Sequence, residues 1–381
     1  RRLMQVEISR NGALKKLDNF INAELPNYNF KRNFDLGPDD KSNVSCLSPY
    51  ISHRLITEYE VAKIVLAKFP YQKVEKYIQE IFWRVYWKGW LELRPQVWSD
   101  FTEDLKALKE DDNYKKAING ETQIKCFNDW VNELKENNYL HNHTRMWFAS
   151  IWIFTLNLPW QKGAEFFMKH LFDGDAASNT LSWRWVAGLQ TKGKHYVAQA
   201  WNISKFTNNK YQNVKLNENA LPLTDKREYK LSPINLDYDD NANENLLVFE
   251  NELNLENHKL KNYKNIYLIL LTNEVRKIKL EKKVLDFKTQ IINDQKKRLD
   301  QIKVINETEL QSSAKETISF DVIHPSIGEN YSYLNSLRKK LNLKLSFILN
   351  EEDKFSWQFS NKGYFNFKNN IPNILSKFKI N

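Results

Sequence analysis

The chain has 381 residues, of which 41% are hydrophobic and 27% charged, and its formal net charge is +10. This length allows two domains, and this composition is that of an ordinary globular protein. Two cysteines exclude a disulfide framework and a cysteine zinc site. No apolar run near either terminus is long enough for a signal peptide or a membrane helix. We therefore expect a cytoplasmic protein with no membrane contact.

The positive charge is spread along the chain, with a net of +4 over residues 1–243 and +6 over residues 244–381. Such a spread supports nucleic-acid binding only mildly, and a basic solvated surface explains it equally well. Tryptophan is distributed less evenly, because 11 of the 12 lie between Trp83 and Trp201. Most of these indoles are expected in an aromatic helical core, and a minority to conduct electrons or stack on bases.

Residues 1–207 have the pattern of a helical domain. Apolar residues recur at three- and four-residue spacing in 61–69, 75–93 and 127–140. The more continuously apolar run 145–158 predicts a helix buried inside a bundle.

Residues 208–243 are rich in Asn and Asp and have no apolar period. This composition predicts a linker or a long surface excursion.

Residues 244–381 alternate short apolar runs with helical stretches. Buried strands that alternate with helices predict a parallel sheet with helices on its faces. The predicted strands are 246–250, 265–271, 319–323 and 343–349, and the predicted helices are 281–302 and 331–341. No Gly-rich dinucleotide fingerprint and no P-loop follows a strand, which argues against a nicotinamide cofactor. The expected fold is an all-helical domain followed by a smaller Rossmann-like parallel α/β domain.

The most distinctive segment runs from Asp173 to Trp185. It places two carboxylates, a carboxamide and two indoles within thirteen residues, namely Asp173, Asp175, Asn179, Trp183 and Trp185. Carboxylates are rarely buried without partners, so this mixture is poor core material. It predicts a site that grips a polar, aromatic cofactor at its edge. The segment resembles the flavin-gripping segment of the photolyase and cryptochrome family.

Three further segments resemble that family in order and interval. Residues 44–50 are similar to its Thr-Ser-x-Leu-Ser-Pro loop, with Val44 in place of Thr. Residues 80–84 are similar to its Glu-x-x-Trp-Arg element, and residues 141–146 to the segment that carries its flavin-side Arg. Together the four segments extend the resemblance over roughly residues 10–207.

The resemblance implies FAD as the cofactor of the helical domain. Arg145 is expected to pair with Asp173 as a bidentate fork. Asp173 and Asp175 would accept from ring and ribose donors, and Asn179 would face the flavin N5. A neutral amide there permits an anionic reduced flavin, which a carboxylate would disfavour. The other implied flavin contacts are Ser45, Leu47, Ser48, Tyr77, Arg84 and Asn142.

The resemblance also implies residues that face damaged DNA. Glu80 and Asn142 would stabilise a pyrimidine dimer during electron transfer, and Trp83 and Trp185 would hold it by stacking. The remaining implied DNA contacts are His143 and Met146. Met146 stands where six-four photolyases carry His, and His143 replaces an Arg that touches DNA. His141 and His143 have no acidic or Cys partner at a ligand-like offset, so no metal is expected.

An electron supply is the last requirement of such a site. By resemblance, Trp183 and Trp160 stand where the proximal and middle electron-transfer tryptophans of the family stand. Trp98 is the candidate for the distal, solvent-side member. Because the loop before it is shorter than usual, Trp90 remains an alternative. Each of these indoles could instead be plain core.

The resemblance implies a monomeric deoxyribodipyrimidine photo-lyase, in which reduced FAD excited by blue light splits cyclobutane pyrimidine dimers of UV-damaged DNA. The alternative is a cryptochrome-like FAD photoreceptor without repair activity. His143 and the domain order favour the photoreceptor, whereas Asn179 and Glu80 favour repair. A third reading, a flavin-free DNA-binding remnant, requires the match of Asp173, Arg145 and Asn179 to be coincidental.

The order of the two domains departs from the family. The family places its α/β antenna domain first, whereas here that pattern follows the helical domain, which suggests a circular permutation. Residues 247–258 resemble the family's first strand and turn only weakly and lack its Arg. The second, antenna chromophore is therefore left unassigned.

Overall fold

The computed structural model describes residues 7–234 and 242–381. The first range consists of helices and their connections up to Phe206. A π-helical turn (Ile151–Thr155) directly follows the helix Asn142–Ser150. The helix bounds are α1 (Arg10–Ala23), α2 (Tyr28–Lys31), α3 (Ser48–Ser52), α4 (Glu58–Leu66), α5 (Tyr71–Glu92), α6 (Gln96–Ala107), α7 (Asp112–Ile118), α8 (Lys125–Asn137), α9 (Asn142–Ser150), α10 (Trp160–His170), α11 (Ala176–Ala187) and α12 (Ala200–Phe206). The helices predicted from apolar spacing are α4, α5, α8 and α9, and the prediction of a helical first half is confirmed.

Local chemistry fixes the ends of the two helices that matter most for the site. The Asp175 carboxylate accepts a hydrogen bond from the Ser178 N–H and begins α11, and Gly188 ends α11 in the left-handed region at a φ of 86°. The His141 ring accepts from the His143 N–H and begins α9. Both helices therefore start from a polar side chain of a motif that the sequence singled out.

The described part of the predicted linker, residues 208–234, contains neither helix nor strand but lies against the helical half. Its Leu223 N–H donates to the Ala187 carbonyl over 2.9 Å. Further bonds join Ser232 N to Leu93 O, Tyr229 to Asp100 and Arg227 to Asp104. This part is a surface excursion, while residues 235–241 lie outside the described residues.

The second half contains a five-stranded sheet whose strands are all parallel. Its elements are β1 (Asn245–Phe249), β2 (Asn265–Ile269), α13 (Lys282–Arg298), β3 (Ile302–Ile305), α14 (Glu307–Glu316), β4 (Ser319–Ile323), α15 (Glu329–Leu341) and β5 (Lys344–Ile348). The strand order is β3-β2-β1-β4-β5, which reverses direction between β1 and β4 as in doubly wound folds. This confirms the predicted Rossmann-like parallel sheet. The sequence analysis missed β3 and α14, and it had assigned Ile302 to a helix.

The central strand β1 divides its side chains between two cores. All five of its residues are buried, because both faces of the sheet are covered. Leu247 and Phe249 pack with α14 and α15. Leu246 and Val248 belong to the same core as the helical half. The two halves of the chain therefore share one hydrophobic core.

Three short helices after the sheet return to the helical half. They are α16 (Glu351–Trp357), α17 (Tyr364–Asn369) and α18 (Ile371–Lys377), and α16 and α17 contact α5. The ring of Tyr364 stacks on Trp83 with centroids 3.5 Å apart and planes 17° apart. Residues 244–381 thus supply both the sheet and part of the support of α5. The domain boundaries at 207 and 244 remain a prediction.

None of the helices in residues 7–234 and 242–381 combines the length and the apolar character needed to cross a bilayer.

Candidate functional site

A cavity of about 670 Å³ opens in the helical half, between α5, α9, α11 and the loop before α3. This volume is typical of a pocket for a large organic ligand. Fifteen predicted site residues line it: Ser45, Leu47, Ser48, Tyr77, Glu80, Trp83, Arg84, Asn142, His143, Arg145, Met146, Asp173, Asn179, Trp183 and Trp185. The structure therefore brings residues from all four sequence segments to one cavity. Asp175, Trp98 and Trp160 do not line the cavity.

The Arg145 guanidinium and the Asp173 carboxylate form the predicted fork. Their two N–O distances are 2.9 and 2.7 Å, and the Ser48 hydroxyl donates to the same carboxylate over 2.5 Å. Asp173 is buried, which by itself would raise its pKa, but Arg145 and Ser48 hold the pKa of this carboxyl below its usual value. Asp173 is thus an ionised anchor that orients Arg145 at the cavity wall.

Asp175 lies differently from what the sequence analysis expected. One carboxylate oxygen accepts from the Ser178 N–H over 2.9 Å as the cap of α11, and the other is paired with Arg84. The side chain lines a separate, smaller cavity rather than the large one. The expected contact between Asp175 and ring or ribose donors therefore has no support in this geometry. Arg84 lines both cavities and lies next to Asp175, where it also helps to lower the pKa of Asp173.

Asn179 lies on the first turn of α11 with its amide on the cavity wall. Its Nδ2 group donates to the Ala164 carbonyl of α10 over 2.8 Å. This bond fixes the orientation of the amide plane and leaves the carbonyl oxygen as its remaining polar atom. Asn179 thus presents a neutral, oriented amide to whatever occupies the cavity.

One face of α5 forms the opposite wall. The motif spacing predicted Glu80 and Trp83 on one helical face, with Tyr77 one turn earlier, and all three line the cavity together with Arg84. Glu80 accepts from Arg32 over 3.0 Å. Burial raises the pKa of Glu80, and Arg32 opposes that shift by its charge. The pKa of Glu80 therefore depends on Arg32, a residue outside the Glu-x-x-Trp-Arg element.

His143 is held on the first turn of α9 by three contacts. Its ring packs on Trp147 with centroids 4.1 Å apart, Nδ1 lies 2.9 Å from the Asn33 carbonyl, and Nε2 lies 3.5 Å from the Tyr196 hydroxyl. Burial lowers the pKa of His143, so the ring is neutral near pH 7. It does not supply the positive charge of the Arg that the family carries there.

The tryptophans predicted to conduct electrons are all buried. Trp183 lines the cavity and packs edge-on against Trp152, with centroids 6.2 Å apart and planes 84° apart. Trp160 and Trp98 do not contact each other through their rings but each packs on Phe101, at 5.5 and 5.6 Å. Trp98 is only 1% exposed, so the expectation that it faces solvent is wrong.

The cause of that error is the second half of the chain. The indole N–H of Trp98 donates to the Ser332 hydroxyl of α15 over 3.3 Å, so the sheet domain covers this side of α6. Trp90, the alternative, is buried too, and the Arg94 guanidinium lies 4.3 Å from its ring centroid. No role in electron transfer is established for either indole by this geometry.

Several wall residues were not found from the sequence, among them Arg32, Tyr139, Tyr196 and Asn202. Tyr139 packs against Arg145, whose guanidinium lies 5.0 Å from its ring centroid. Its place two residues before the 141–146 segment was the one available signal. The others are single residues on short elements without a pattern of their own.

The smaller cavity, of about 70 Å³, lies at the carboxyl ends of β1 and β4, where doubly wound sheets bind ligands. Glu250 and Lys288 meet there at 3.0 Å, and the His53 ring lies 3.0 Å from the same Lys288 ammonium. Its volume is far below that of pockets for organic ligands. The side chains of Glu250, Lys288 and His53 themselves fill the position at the carboxyl ends of β1 and β4 where such a ligand would bind.

Residues 77–220 match the family model described as the FAD binding domain of DNA photolyase. This range contains three of the four cavity-lining segments that the sequence singled out. Over this range the helical half of the chain is similar to the FAD-binding domain of the photolyase family. The loop at residues 44–50 lies outside the matched range but lines the same cavity.

Curated relatives show the same similarity. A deoxyribodipyrimidine photo-lyase of Agrobacterium fabrum is 30% identical over 184 residues, which are 46% of this chain and 38% of that protein. A second photo-lyase, from Buchnera aphidicola, is 29% identical over 194 residues, or 48% and 39% of the two chains. The chain thus spans about two fifths of the length of these relatives.

Among solved structures, a bacterial class III photolyase from Agrobacterium tumefaciens has 27% identity and a TM-score of 0.45, with 52% of this chain and 43% of that chain covered. A cryptochrome of Synechocystis has 20% identity and a TM-score of 0.46, with the same coverage.

Proposed function

We propose that this chain binds FAD in the 670 Å³ cavity and uses blue light to split cyclobutane pyrimidine dimers in DNA. The observation that carries the proposal is the convergence of the Arg145–Asp173 fork, the Asn179 amide and the Glu80 carboxyl on one cavity. These groups come from α5, α9, α11 and the loop before α11, and all of them line the same cavity.

The walls of the cavity suit FAD in volume and in unpaired donors. The Trp183 indole N–H and the Ser178 hydroxyl are buried on the wall and have no hydrogen-bond partner among the described residues. Buried polar atoms without partners are costly, so a polar ligand at these atoms removes that cost. Bound FAD, once reduced, supplies light-driven electron transfer.

The flavin-side residues would act by charge and orientation. Arg145, held by Asp173, places a fixed positive charge at the wall, which favours a negatively charged ring system. Asn179 offers a neutral amide whose protonation does not change with pH. Ser45 lies before α3 and Ser48 is its first residue, where hydroxyls and backbone N–H groups suit a pyrophosphate.

The substrate-side residues would hold the flipped-out dimer. Trp83 and Trp185 offer ring faces, and Met146 is an apolar neighbour on the same wall. Glu80 lies on the same wall, where it accepts from Arg32 over 3.0 Å, and its carboxyl would hydrogen-bond the edge of the pyrimidine pair. Asn142, exposed on the first turn of α9, offers an amide to the same base edge.

A second candidate function, a photoreceptor that binds FAD and repairs nothing, is favoured by His143. Its ring is neutral and engaged by Trp147 and Asn33, so a DNA phosphate gains no charge from it. In this reading the cavity holds the flavin, and the signal passes to a partner.

One experiment separates the two functions. The full chain is purified, its flavin absorbance is recorded, and it is illuminated with a dimer-containing oligonucleotide under reducing conditions, with a dark sample as control. We expect loss of dimers in the light and, for Glu80→Gln, repair slowed about 10- to 100-fold with flavin retained. Bound flavin without loss of dimers would leave the photoreceptor, and a chain free of flavin after reconstitution with FAD would contradict both.

A further inference from the structure

Two chain segments, 27–34 and 199–216, lie side by side at the mouth of the cavity. We call them together the mouth rim. The Phe34 and Phe206 rings pack with centroids 5.0 Å apart, and the Asp35 N–H donates to the Phe206 carbonyl over 2.8 Å. Arg32, Asn33, Asn202 and Phe206 line the cavity itself. The mouth rim is therefore one continuous surface that borders the cavity.

The mouth rim exposes two large aromatic side chains. Phe30 is 81% exposed and Trp201 is 65% exposed. Their backbones are nevertheless anchored. The Trp147 indole donates to Asn202 over 2.9 Å beside Trp201, and the Asn43 amide donates to the Lys31 carbonyl beside Phe30 over 2.6 Å. Exposure of both rings is thus a property of well-held elements rather than of a loose loop.

The charge of the mouth rim has one sign. Its two segments contain five basic residues and no carboxylate, the basic residues being Lys31, Arg32, Lys205, Lys210 and Lys215. Lys31 and Lys205 are exposed next to the aromatic residues, and the Lys205 ammonium lies 5.2 Å from the Phe206 ring centroid. The remaining exposed groups include the amides of Asn29, Asn208 and Asn209.

We infer that the mouth rim binds the DNA strand on both sides of the flipped-out dimer, with Trp201 and Phe30 stacking on flanking bases and Lys31 and Lys205 contacting phosphates. This inference rests on the proposed function. Removal of a dimer from the duplex exposes the faces of its neighbouring bases. Exposed aromatic rings interleaved with cations form the platform that recognises such unpaired bases. An acidic protein partner would account for the cations but not for two exposed rings at a cavity mouth.

The mouth rim also supplies positive charge close to the neutral ring of His143. This ring lies directly beneath the mouth rim, because it contacts both Asn33 and Phe206. Its neutral state removes a cation from the cavity floor. Lys31 and Lys205 place positive charge on the neighbouring surface, where a phosphate backbone can reach it. Loss of the family's Arg therefore does not leave the approach to the cavity without charge.

The test is equilibrium binding in the dark, by fluorescence anisotropy, of a labelled duplex that contains one dimer. We expect Trp201→Ala to weaken binding about 5- to 100-fold, the range for loss of one base–aromatic stack, and Trp201→Phe to restore most of it. We expect Phe30→Ala to weaken binding of the same duplex as well. Val304→Ala is the control, since Val304 is 44% exposed on β3 of the sheet and is not part of the mouth rim. An unchanged melting temperature shows that each variant is folded.

The salt dependence of binding separates stacking from charge. Lys31→Ala and Lys205→Ala are each expected to reduce the slope of log affinity against log salt by about 1, because each removes one phosphate contact. Trp201→Ala is expected to leave this slope unchanged. A Trp201→Ala variant that loses slope but no affinity at low salt would contradict stacking.

The outcomes distinguish this inference from the proposed function. If the parent binds dimer-containing and undamaged duplex equally, the repair function is contradicted. If the parent prefers the dimer and Trp201→Ala and Phe30→Ala bind it like the parent, the inference is overturned and the repair function stands. Self-association of the parent that Trp201→Ala abolishes, measured by sedimentation, would also overturn it, since the rings would then contact a second copy.

Discussion

Arg145 and Asp173 illustrate how single residues of the site are held. Both carboxylate oxygens of Asp173 are bound, and Arg145 has a further bond from Nε to the Leu140 carbonyl at 2.8 Å. A buried charge with its partner removed is costly, so the two residues depend on each other for stability as well as for orientation.

We expect Asp173→Asn to lower the free energy of unfolding by about 3–5 kcal/mol at pH 7, because the partly buried Arg145 loses its partner charge. The pKa of Asp173 is lowered in the folded state, so its contribution is present above about pH 4 and is lost as the pH falls through that lowered pKa. The difference in free energy of unfolding between the parent and Asp173→Asn therefore becomes smaller at acid pH. Urea unfolding at several pH values measures it.

The control for this prediction is Asp286→Asn, which removes the exposed pair with Lys282 on α13. Exposed pairs contribute about 0–1 kcal/mol. A loss at Asp173 no larger than the loss at Asp286 would contradict the anchoring role.

Sequence reasoning reached those site residues that lie in short motifs. Asp173, Asn179 and Arg145 were found because the residues around them resemble segments of the photolyase and cryptochrome family in the same order. Arg32, which contacts Glu80 from α2, was not found, because one Arg in a polar segment has no distinguishing pattern. Asp175 was found but misplaced, since its capping bond and its pair with Arg84 depend on the fold.

At the scale of elements, the contact between α10 and α11 fixes the cavity floor. Gly163 of α10 faces the ring of Trp183 on α11, and a Cβ at Gly163 would come within 2.3 Å of that ring. Real contacts of this kind are not tolerated without movement. The glycine therefore sets how closely the Trp183 indole can lie against α10.

We expect Gly163→Ala to destabilise the protein by about 1–3 kcal/mol, even though alanine favours helix by about 1 kcal/mol over glycine. The added methyl group must displace the Trp183 ring, which also perturbs the cavity wall. Urea unfolding measures the first effect, and affinity for added FAD measures the second. Gly363→Ala, where a Cβ meets nothing within 4 Å, is the control. A Gly163→Ala variant as stable as the parent would show that the two helices can separate freely.

The elements that the sequence predicted best are those with long apolar periods, such as α5 and α8. The strand β3 was missed because its four residues follow the charged helix α13 directly and its two middle residues are exposed. Helices α16 to α18 were missed because each has seven residues or fewer, too short for a helical period to show.

At the scale of the whole molecule, a buried group of charges joins the two halves. Arg54, in the loop after α3, contacts Asp353 of α16 at 2.5 and 3.0 Å and Glu252 after β1 at 3.8 Å. Arg54 holds the pKa of Asp353 down to about 2. Lys88 of α5 lies 3.6 Å from Glu252. Sequence reasoning could not find this group, because its members are far apart in the chain.

We expect Arg54→Met to lower the free energy of unfolding by about 3–5 kcal/mol, since Asp353 and its neighbouring carboxylates lose their main counter-charge. Lys282→Met, on the exposed pair of α13, is the matched control and is expected to cost less than about 1 kcal/mol. Denaturant unfolding followed by both circular dichroism and tryptophan fluorescence measures the loss. A change below about 1 kcal/mol for Arg54→Met would show that the halves are joined by apolar packing alone.

Because α17 packs on α5, one face of α5 stays uncovered during much of the synthesis of the chain. The Tyr364 hydroxyl donates to the Gln79 carbonyl over 2.5 Å across 285 residues of chain, and its ring covers Trp83. During synthesis α5 therefore leaves the ribosome long before the residues that cover its outer face. Contacts this distant in sequence form slowly, and an uncovered aromatic helix face is prone to aggregate. The face of α5 around Trp83 therefore gains its cover only after α17 has been made.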